Sequence, residues 1–186
     1  DGVYHDVAGK SFRDFMNGQL EGFEGQIPHM GDWADHMTTN FPEVRLKKYL
    51  EMRGTDGGPW RNLCALPALW VCLLYDADSQ SAAWDLIKDW SIEEQETLRN
   101  EVPIKGLATP FRKTSVQEIS KEILVIASTG LKKRAKLDPS GNDESGFLET
   151  LRDIADRGRT PAEELLDAFA GKWSKSVSPI FEELQY

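Results

Sequence analysis

The chain has 186 residues, 40% apolar and 28% charged, with a formal net charge of -9 at pH 7. The length is sufficient for a single domain with a hydrophobic core, and the composition is that of an ordinary globular protein. The acidic balance argues against a nucleic-acid partner, which needs a basic face to displace counterions, and against docking on an anionic membrane surface.

The first forty residues predict a strand and two short helices. Asp1-Gly2 is a favoured hairpin turn, and the alternating residues 3–7 predict a strand on one side of it. Apolar residues at helical spacing predict a helix over residues 10–20. Asp32 is expected to cap a short helix over the residues that follow it.

Residues 43–53 predict a strand with two different faces. One set of alternating positions is apolar and comprises Val44, Leu46, Leu50 and Met52. The other set is mainly charged and comprises Arg45, Lys47, Tyr49, Glu51 and Arg53. Because successive side chains of a strand point to opposite faces, the apolar face suits a core and the charged face is available for a site. A glycine-rich turn over 54–59 follows, and a cationic face with one carboxylate beside such a turn suits a metal–phosphate site.

From Pro59 onward we expect a mainly helical chain. The longest apolar run, residues 63–75, is shorter than the roughly 20 residues that span a bilayer, so it predicts a buried helix rather than a membrane span. Capping boxes that begin at Ser91, Ser115 and Thr160 predict helices near 92–100, 116–134 and 161–173. Further helices are predicted over 79–89, capped by Ser79, and over 145–157.

The only two cysteines, Cys64 and Cys72, both lie in the predicted buried helix. Eight residues of helix separate their Cα atoms by roughly 12 Å, whereas a disulfide needs them within about 7 Å. We therefore expect two reduced thiols, as is typical of a cytosolic protein.

Several segments together carry a family resemblance. The longest is LEMRGTDGGPWRNLCALPALW at residues 50–70, and the others are Asp32-Trp33, residues 36–39, Val102-Pro103, residues 109–112, 146–148, 160–163 and the end of the chain from Ser176. In these segments the chain closely resembles the plant and proteobacterial branch of glutamate–cysteine ligase, which makes γ-glutamylcysteine, the precursor of glutathione. The resemblance implies an α+β, glutamine-synthetase-like fragment over residues 1–186, with a few antiparallel strands near the N-terminus and a mainly helical C-terminal part.

The resemblance also implies that this chain is incomplete. Members of the family are considerably longer, and their extra length lies on the N-terminal side. We therefore expect a single-domain C-terminal portion whose partner is the missing N-terminal part of the same enzyme. The upstream metal carboxylates and glutamate-binding arginines of the family are not in this sequence.

Glu51 and Arg53 are the predicted centre of the site. The resemblance implies that Glu51 binds Mg²⁺ and that Arg53 stabilises the γ-phosphate of ATP during transfer. Without the resemblance, the same residues would be interpreted as an exposed ion pair of little energetic value. Arg45, on the same face, is a candidate for nucleotide phosphates, and its alternative is a salt bridge with Glu43 or Glu51.

Residues just past the glycine turn are weaker candidates. Residues 56–58 fit a turn, and Trp60 fits core packing. Arg61 lies near a predicted helix N-terminus, where backbone N–H groups favour an anion, so it is either a phosphate ligand or a surface residue.

The implied reaction is the first step of glutathione biosynthesis, with ATP, L-glutamate and L-cysteine as substrates. ATP phosphorylates the glutamate γ-carboxyl group, and the cysteine amine attacks the resulting γ-glutamyl phosphate. Whether the chain alone is active is left open. One alternative is a non-catalytic helical interaction or regulatory domain derived from the ligase, and another is a different amino-acid ligase on the same scaffold.

The expected location is the cytoplasm, and a bacterial source is favoured over a plastid one. Plant members of the family carry a redox-switch disulfide whose cysteines align with Val7 and Gly22, and neither residue is a cysteine here.

Overall fold

The computed structural model describes residues 2–185, which divide into two compact units, one up to Thr55 and one from Asp56 onward. The fold class is α+β, as predicted, with short antiparallel strand pairs and a mainly helical second unit. We describe each unit by itself. The single domain expected over residues 1–186 stays a prediction.

The first unit has two short helices and one hairpin. They are α1 (Phe12–Met16), α2 (Met30–Thr38), β1 (Val44–Leu46) and β2 (Leu50–Met52). Helix α2 begins earlier than predicted because His29, not Asp32, is its cap. The His29 Nδ1 atom accepts from the Gly31 and Asp32 amides, and the Asp32 carboxylate accepts from the His29 amide.

Aromatic rings join the two helices of this unit. The Phe12 ring of α1 stacks on the His36 ring of α2 with centroids 4.1 Å apart, and the Trp33 centroid lies 5.6 Å from that of Phe12. Helix α1 is shorter than the predicted 10–20 because Gly18 adopts a φ of +66°, in the left-handed region that terminates helices.

The strand predicted over residues 3–7 is wrong, because these residues have no regular structure. A strand needs a partner for its backbone N–H and C=O groups, and the described chain pairs none with this segment. The turn predicted at Asp1-Gly2 involves Asp1 and lies outside the described residues.

The second unit is built mainly of helices. They are α3 (Trp60–Tyr75), α4 (Ala77–Ile87), α5 (Ile92–Lys105), α6 (Val116–Arg134), α7 (Glu149–Arg157), α8 (Pro161–Ala170) and α9 (Ile180–Glu183). A hairpin of β3 (Pro110–Phe111) and β4 (Thr114–Ser115) precedes α6, and 3₁₀ turns occupy Gly106–Ala108 and Glu144–Leu148. Helices α3 and α6 pack together at the centre, and α4 and α7 flank them. No helix within residues 2–185 combines the length and the apolarity needed to cross a bilayer.

The predicted helices of this unit are confirmed, with changes at their ends. Helix α6 has the predicted bounds, whereas α5 extends past Pro103 to Lys105. Helix α4 begins at Ala77 because the Asp76 carboxylate, not the Ser79 hydroxyl, is the cap. Helix α8 ends at Ala170, and residues 145–148 belong to a 3₁₀ turn before α7.

Both cysteines are free thiols, as predicted. Cys72 is buried in the core, and its Sγ donates to the Leu69 carbonyl at 3.0 Å. Burial raises the pKa of the Cys72 thiol, so this residue behaves as a core side chain and not as a nucleophile.

Gly130 lies where α6 packs tightly against α3 and α4. A Cβ atom added there would lie 2.9 Å from Cys72 Cβ and 2.5 Å from Ser79 Oγ. We expect Gly130→Ala to lower the free energy of unfolding by about 1–3 kcal/mol, because overpacking outweighs the better helix propensity of alanine. Urea unfolding would measure the change. Gly146→Ala is the matched control, since its added Cβ has nothing within 4 Å; equal stability of the two variants would contradict this packing.

An ion pair joins the β3–β4 turn to the start of α5. The Arg112 Nε atom donates to Glu94 at 2.7 Å, and the same carboxylate accepts from the Ser91 amide at the cap of α5. The pKa of Glu94 is lowered to about 2, mainly by the hydrogen bond from Arg112 and to a smaller extent by that from Ser91.

This pair predicts a pH-dependent stability. A carboxylate whose pKa is lowered by folding stabilises the fold fully above its unfolded pKa, and this stabilisation is lost as the pH falls through the folded value. We expect Arg112→Gln to destabilise the protein at pH 7, with the difference in stability from the wild type narrowing as the pH falls from about 4.5 through about 2. Urea unfolding across this range, with Lys113→Gln as the control, tests it. A difference that does not depend on pH would exclude Glu94 as the cause.

Candidate functional site

Residues 43–53 form a hairpin and not the single strand that was predicted. Val44 pairs with Met52, Arg45 with Glu51, and Leu46 with Leu50. One long strand would need neighbouring strands for its backbone groups, whereas the hairpin pairs them within the segment. The register is symmetric about Lys48, so residues predicted to share a face still share it.

The charged face of the hairpin brings Arg45, Glu51 and Arg53 together. The Arg45 Nε atom donates to Glu51 Oε2 at 2.7 Å, and the Arg53 Nε atom lies 3.5 Å from the same oxygen. The hydrogen bond from Arg45 lowers the pKa of Glu51, and the charges of Lys47 and Arg53 add to the effect. Glu51 is therefore ionised at neutral pH, and the cluster as a whole is cationic.

Arg53 is held in place by contacts on both its backbone and its side chain. Its backbone N–H donates to the Glu43 carbonyl at 2.8 Å, which extends the hairpin ladder by one residue pair. Its guanidinium group lies 5.5 Å from the centroid of the Phe41 ring, at cation–π distance. The Arg53 Nη1 atom is buried and has no hydrogen-bond partner among the described residues. A buried unpaired donor is costly, so this atom is suited to an anionic oxygen.

Glu51 fits one position of a Mg²⁺ coordination sphere. Within the described chain, no three His, Cys, Asp or Glu side chains form a metal cluster. Both arginines contact Oε2, and in the same part of the chain Oε1 accepts no hydrogen bond. Mg²⁺ commonly takes one or two carboxylates and fills its other positions with phosphate oxygens and water, so one ionised oxygen is compatible with such a site.

The apolar face of the hairpin does not form a core within this unit. Val44, Leu46 and Leu50 are 52%, 80% and 62% exposed. The prediction that this face is buried is therefore wrong for the described residues. Three adjacent apolar side chains on one face are typical of a surface that another segment covers.

Arg61 belongs to the second unit, in the first turn of α3. It lines a cleft of about 960 Å³ whose wall includes Phe147, Ile154, Leu165 and Trp173. Acidic side chains of this cleft are paired: Asp153 and Glu164 with Arg157, Glu149 with Arg152, and Glu183 with Lys172. The Arg61 side chain makes no ion pair or hydrogen bond within residues 2–185. Trp60, beside it, is 77% exposed, so its predicted core packing is wrong.

Sequence reasoning missed one contact of the candidate site, that of Arg53 with Phe41, and left the partner of Arg45 open. Nothing in the pattern marked Phe41, because a single aromatic residue before a proline has no periodicity. The partner of Arg45 was left between Glu43 and Glu51, and the cross-strand register selects Glu51.

Comparison with known proteins gives one consistent result. The chain matches the family described as Glutamate-cysteine ligase family 2 (GCS2) over residues 2–183. It is 52% identical to the chloroplastic glutamate–cysteine ligase of Nicotiana tabacum over 98% of this chain and 34% of that protein. It is 51% identical to the chloroplastic glutamate–cysteine ligase of Arabidopsis thaliana, again over 98% of this chain and 34% of that protein. The chain therefore spans about a third of the length of these relatives.

The names of the relatives correct the expected location. The similar ligases of tobacco, tomato and Arabidopsis are all chloroplastic proteins, so the expectation of a bacterial cytoplasmic protein is wrong. That expectation depended on the absence of cysteine at Val7 and Gly22. The absence removes one disulfide from the chain, but it carries no information about the compartment.

Proposed function

Because the chain belongs to glutamate-cysteine ligase family 2, we propose that it is part of a plastid ligase that joins the γ-carboxyl group of L-glutamate to the amine of L-cysteine, with ATP as the energy source. The observation that carries this proposal is the hairpin cluster. It places an ionised carboxylate and two guanidinium groups on one face of the hairpin, and a buried Arg53 donor has no hydrogen-bond partner among the described residues.

The proposed reaction has two steps. A γ-carboxylate oxygen of glutamate attacks the γ-phosphorus of ATP, an acyl phosphate forms, and ADP leaves. The cysteine amine then attacks the acyl carbon and loses a proton, the C–N bond forms, and inorganic phosphate leaves with the oxygen that came from glutamate.

Arg53 has the properties that phosphoryl transfer requires. The migrating phosphoryl group carries negative charge on its three outer oxygens, and a fixed guanidinium group stabilises this charge in the transition state. The backbone hydrogen bond to Glu43 and the Phe41 ring hold Arg53, so little reorganisation is needed. Glu51 would hold Mg²⁺, which when bound neutralises phosphate charge.

Two further arginines, one in each unit, supply positive charge. Arg45 and Arg53 both contact Glu51. The Arg45 guanidinium group therefore adds positive charge to the same face as Arg53. Arg61 lies in the first turn of α3, where backbone amides favour an anion, and within residues 2–185 its side chain is not paired with any acidic group of the cleft.

The chain is proposed to work within a longer polypeptide. Relatives that match 98% of it are about three times its length. The exposed apolar face of the hairpin supports this proposal, because a segment from the remaining two thirds would bury it.

Release of ADP tests the proposed function. The full-length ligase that contains this chain would be incubated with Mg²⁺, ATP, glutamate and cysteine, and each component would be omitted in turn. We expect release to depend on both amino acids and to match the γ-glutamylcysteine formed. No release from folded protein would indicate a non-catalytic descendant, and sustained release that is independent of cysteine or glutamate would indicate another ATP-dependent enzyme.

A further inference from the structure

Arg45 differs from Arg53 in how it contacts Glu51. It lies at the middle of β1, directly opposite Glu51 at the middle of β2. The Arg45 contact is a hydrogen bond of 2.7 Å, whereas the Arg53 Nε atom is 3.5 Å away from the carboxylate. The backbone ladder places Arg45 opposite Glu51, and its shorter contact constrains the carboxylate more than the contact of Arg53 does.

The two oxygens of the Glu51 carboxylate differ in their contacts. Both arginines contact Oε2, so Oε1 is the oxygen that the described residues leave open. The two side chains are each about a third exposed, so the pair adds little stability at this surface. Its larger effect is to restrict the Glu51 side chain to one orientation.

We propose that Arg45 is a positioning residue, which holds Glu51 through Oε2 and so presents Oε1 to the divalent cation of the reaction. This inference depends on the proposed function, since it concerns the same site. It assigns Arg45 a principal role that differs from phosphate binding. Hydrogen bonds to metal-ligating side chains commonly determine metal affinity by factors of about 10–100.

The two roles of Arg45 predict different losses. A positioning residue affects the binding of the cation and leaves the binding of nucleotide without metal nearly unchanged. A phosphate ligand affects nucleotide binding whether metal is present or not. Metal affinity and nucleotide affinity must therefore be measured separately.

The experiment uses the full-length ligase, with Mn²⁺ as the probe and a non-hydrolysable ATP analogue present. Electron paramagnetic resonance measures the concentrations of free and bound Mn²⁺. Calorimetry measures the affinity for the same analogue without metal. The variants are Arg45→Gln, Arg45→Lys and Glu51→Gln. Lys47→Gln is the control, because it removes a positive charge from the same hairpin face without removing a hydrogen bond to Glu51.

We expect Arg45→Gln to weaken Mn²⁺ binding by about 10-fold or more, with partial recovery in Arg45→Lys and less than about a threefold change in metal-free analogue binding. A comparable loss of analogue binding, or unchanged Mn²⁺ binding in Arg45→Gln, would overturn the inference. Glu51→Gln separates the two proposals: unchanged Mn²⁺ binding in this variant would overturn the metal role of Glu51 itself.

Discussion

Arg53→Ala is expected to lower kcat of the full-length ligase on the order of 10³-fold, by analogy with arginines that stabilise a migrating phosphoryl group. The reason is that the Arg53 guanidinium group has a buried donor atom without a partner in the described chain, while its backbone is fixed in the hairpin ladder. An interaction made mainly in the transition state lowers kcat and kcat/KM together. Steady-state kinetics at varied ATP, with both amino acids saturating, would measure kcat and kcat/KM.

Arg13→Ala is the matched control for this prediction. Arg13 lies in α1 and is exposed, and within residues 2–185 only its backbone atoms form hydrogen bonds. Its replacement should leave the rate unchanged. Circular dichroism and thermal unfolding would show whether Arg53→Ala keeps the fold. An Arg53→Ala enzyme that is folded and retains most of its rate would refute the role assigned to this residue.

Leu131→Ala is expected to lower the free energy of unfolding by about 2–5 kcal/mol. Leu131 is fully buried in α6 and belongs to the central cluster of the second unit, with Leu148, Ala127 and Cys72. It also lines a cleft of about 250 Å³ together with Ala68 and Val71. Because close-packed helices relax only partially around a deleted side chain, the space that Leu131 leaves adds a cavity cost to the lost burial.

Val125→Ala provides the comparison, because Val125 lies on the same helix and is 66% exposed. Urea unfolding of both variants would give the difference in free energy. We expect Val125→Ala to stay within about 0.5 kcal/mol of the wild type, as is usual for surface positions. Similar losses in the two variants would show that Leu131 is not at the centre of the core.

The helices were the most predictable part of the fold because their starts are encoded locally. The cap and the amphipathic run of α6 lie within one stretch of sequence, and its bounds were predicted correctly. Residues 3–7 have a comparable strand pattern but no local partner, and no strand forms. Alternation predicts which face a side chain occupies, whereas pairing depends on residues elsewhere.

The hairpin shows the same distinction at the site. Alternation from Val44 to Arg53 is the same for one long strand and for two strands folded about Lys48, so the sequence could not choose between them. The shared face of Glu51 and Arg53 was predictable from their spacing. The contact of Arg53 with Phe41 required the three-dimensional structure, because no repeat connects these positions.

The most direct test of the central claim, that the chain contributes to a site where ATP phosphorylates glutamate, is oxygen transfer. Glutamate labelled with ¹⁸O in its γ-carboxylate would be supplied to the full-length ligase with ATP and cysteine, and the released phosphate would be analysed by mass spectrometry. We predict one ¹⁸O atom in the phosphate for each γ-glutamylcysteine formed. Unlabelled phosphate released together with the dipeptide would contradict the account.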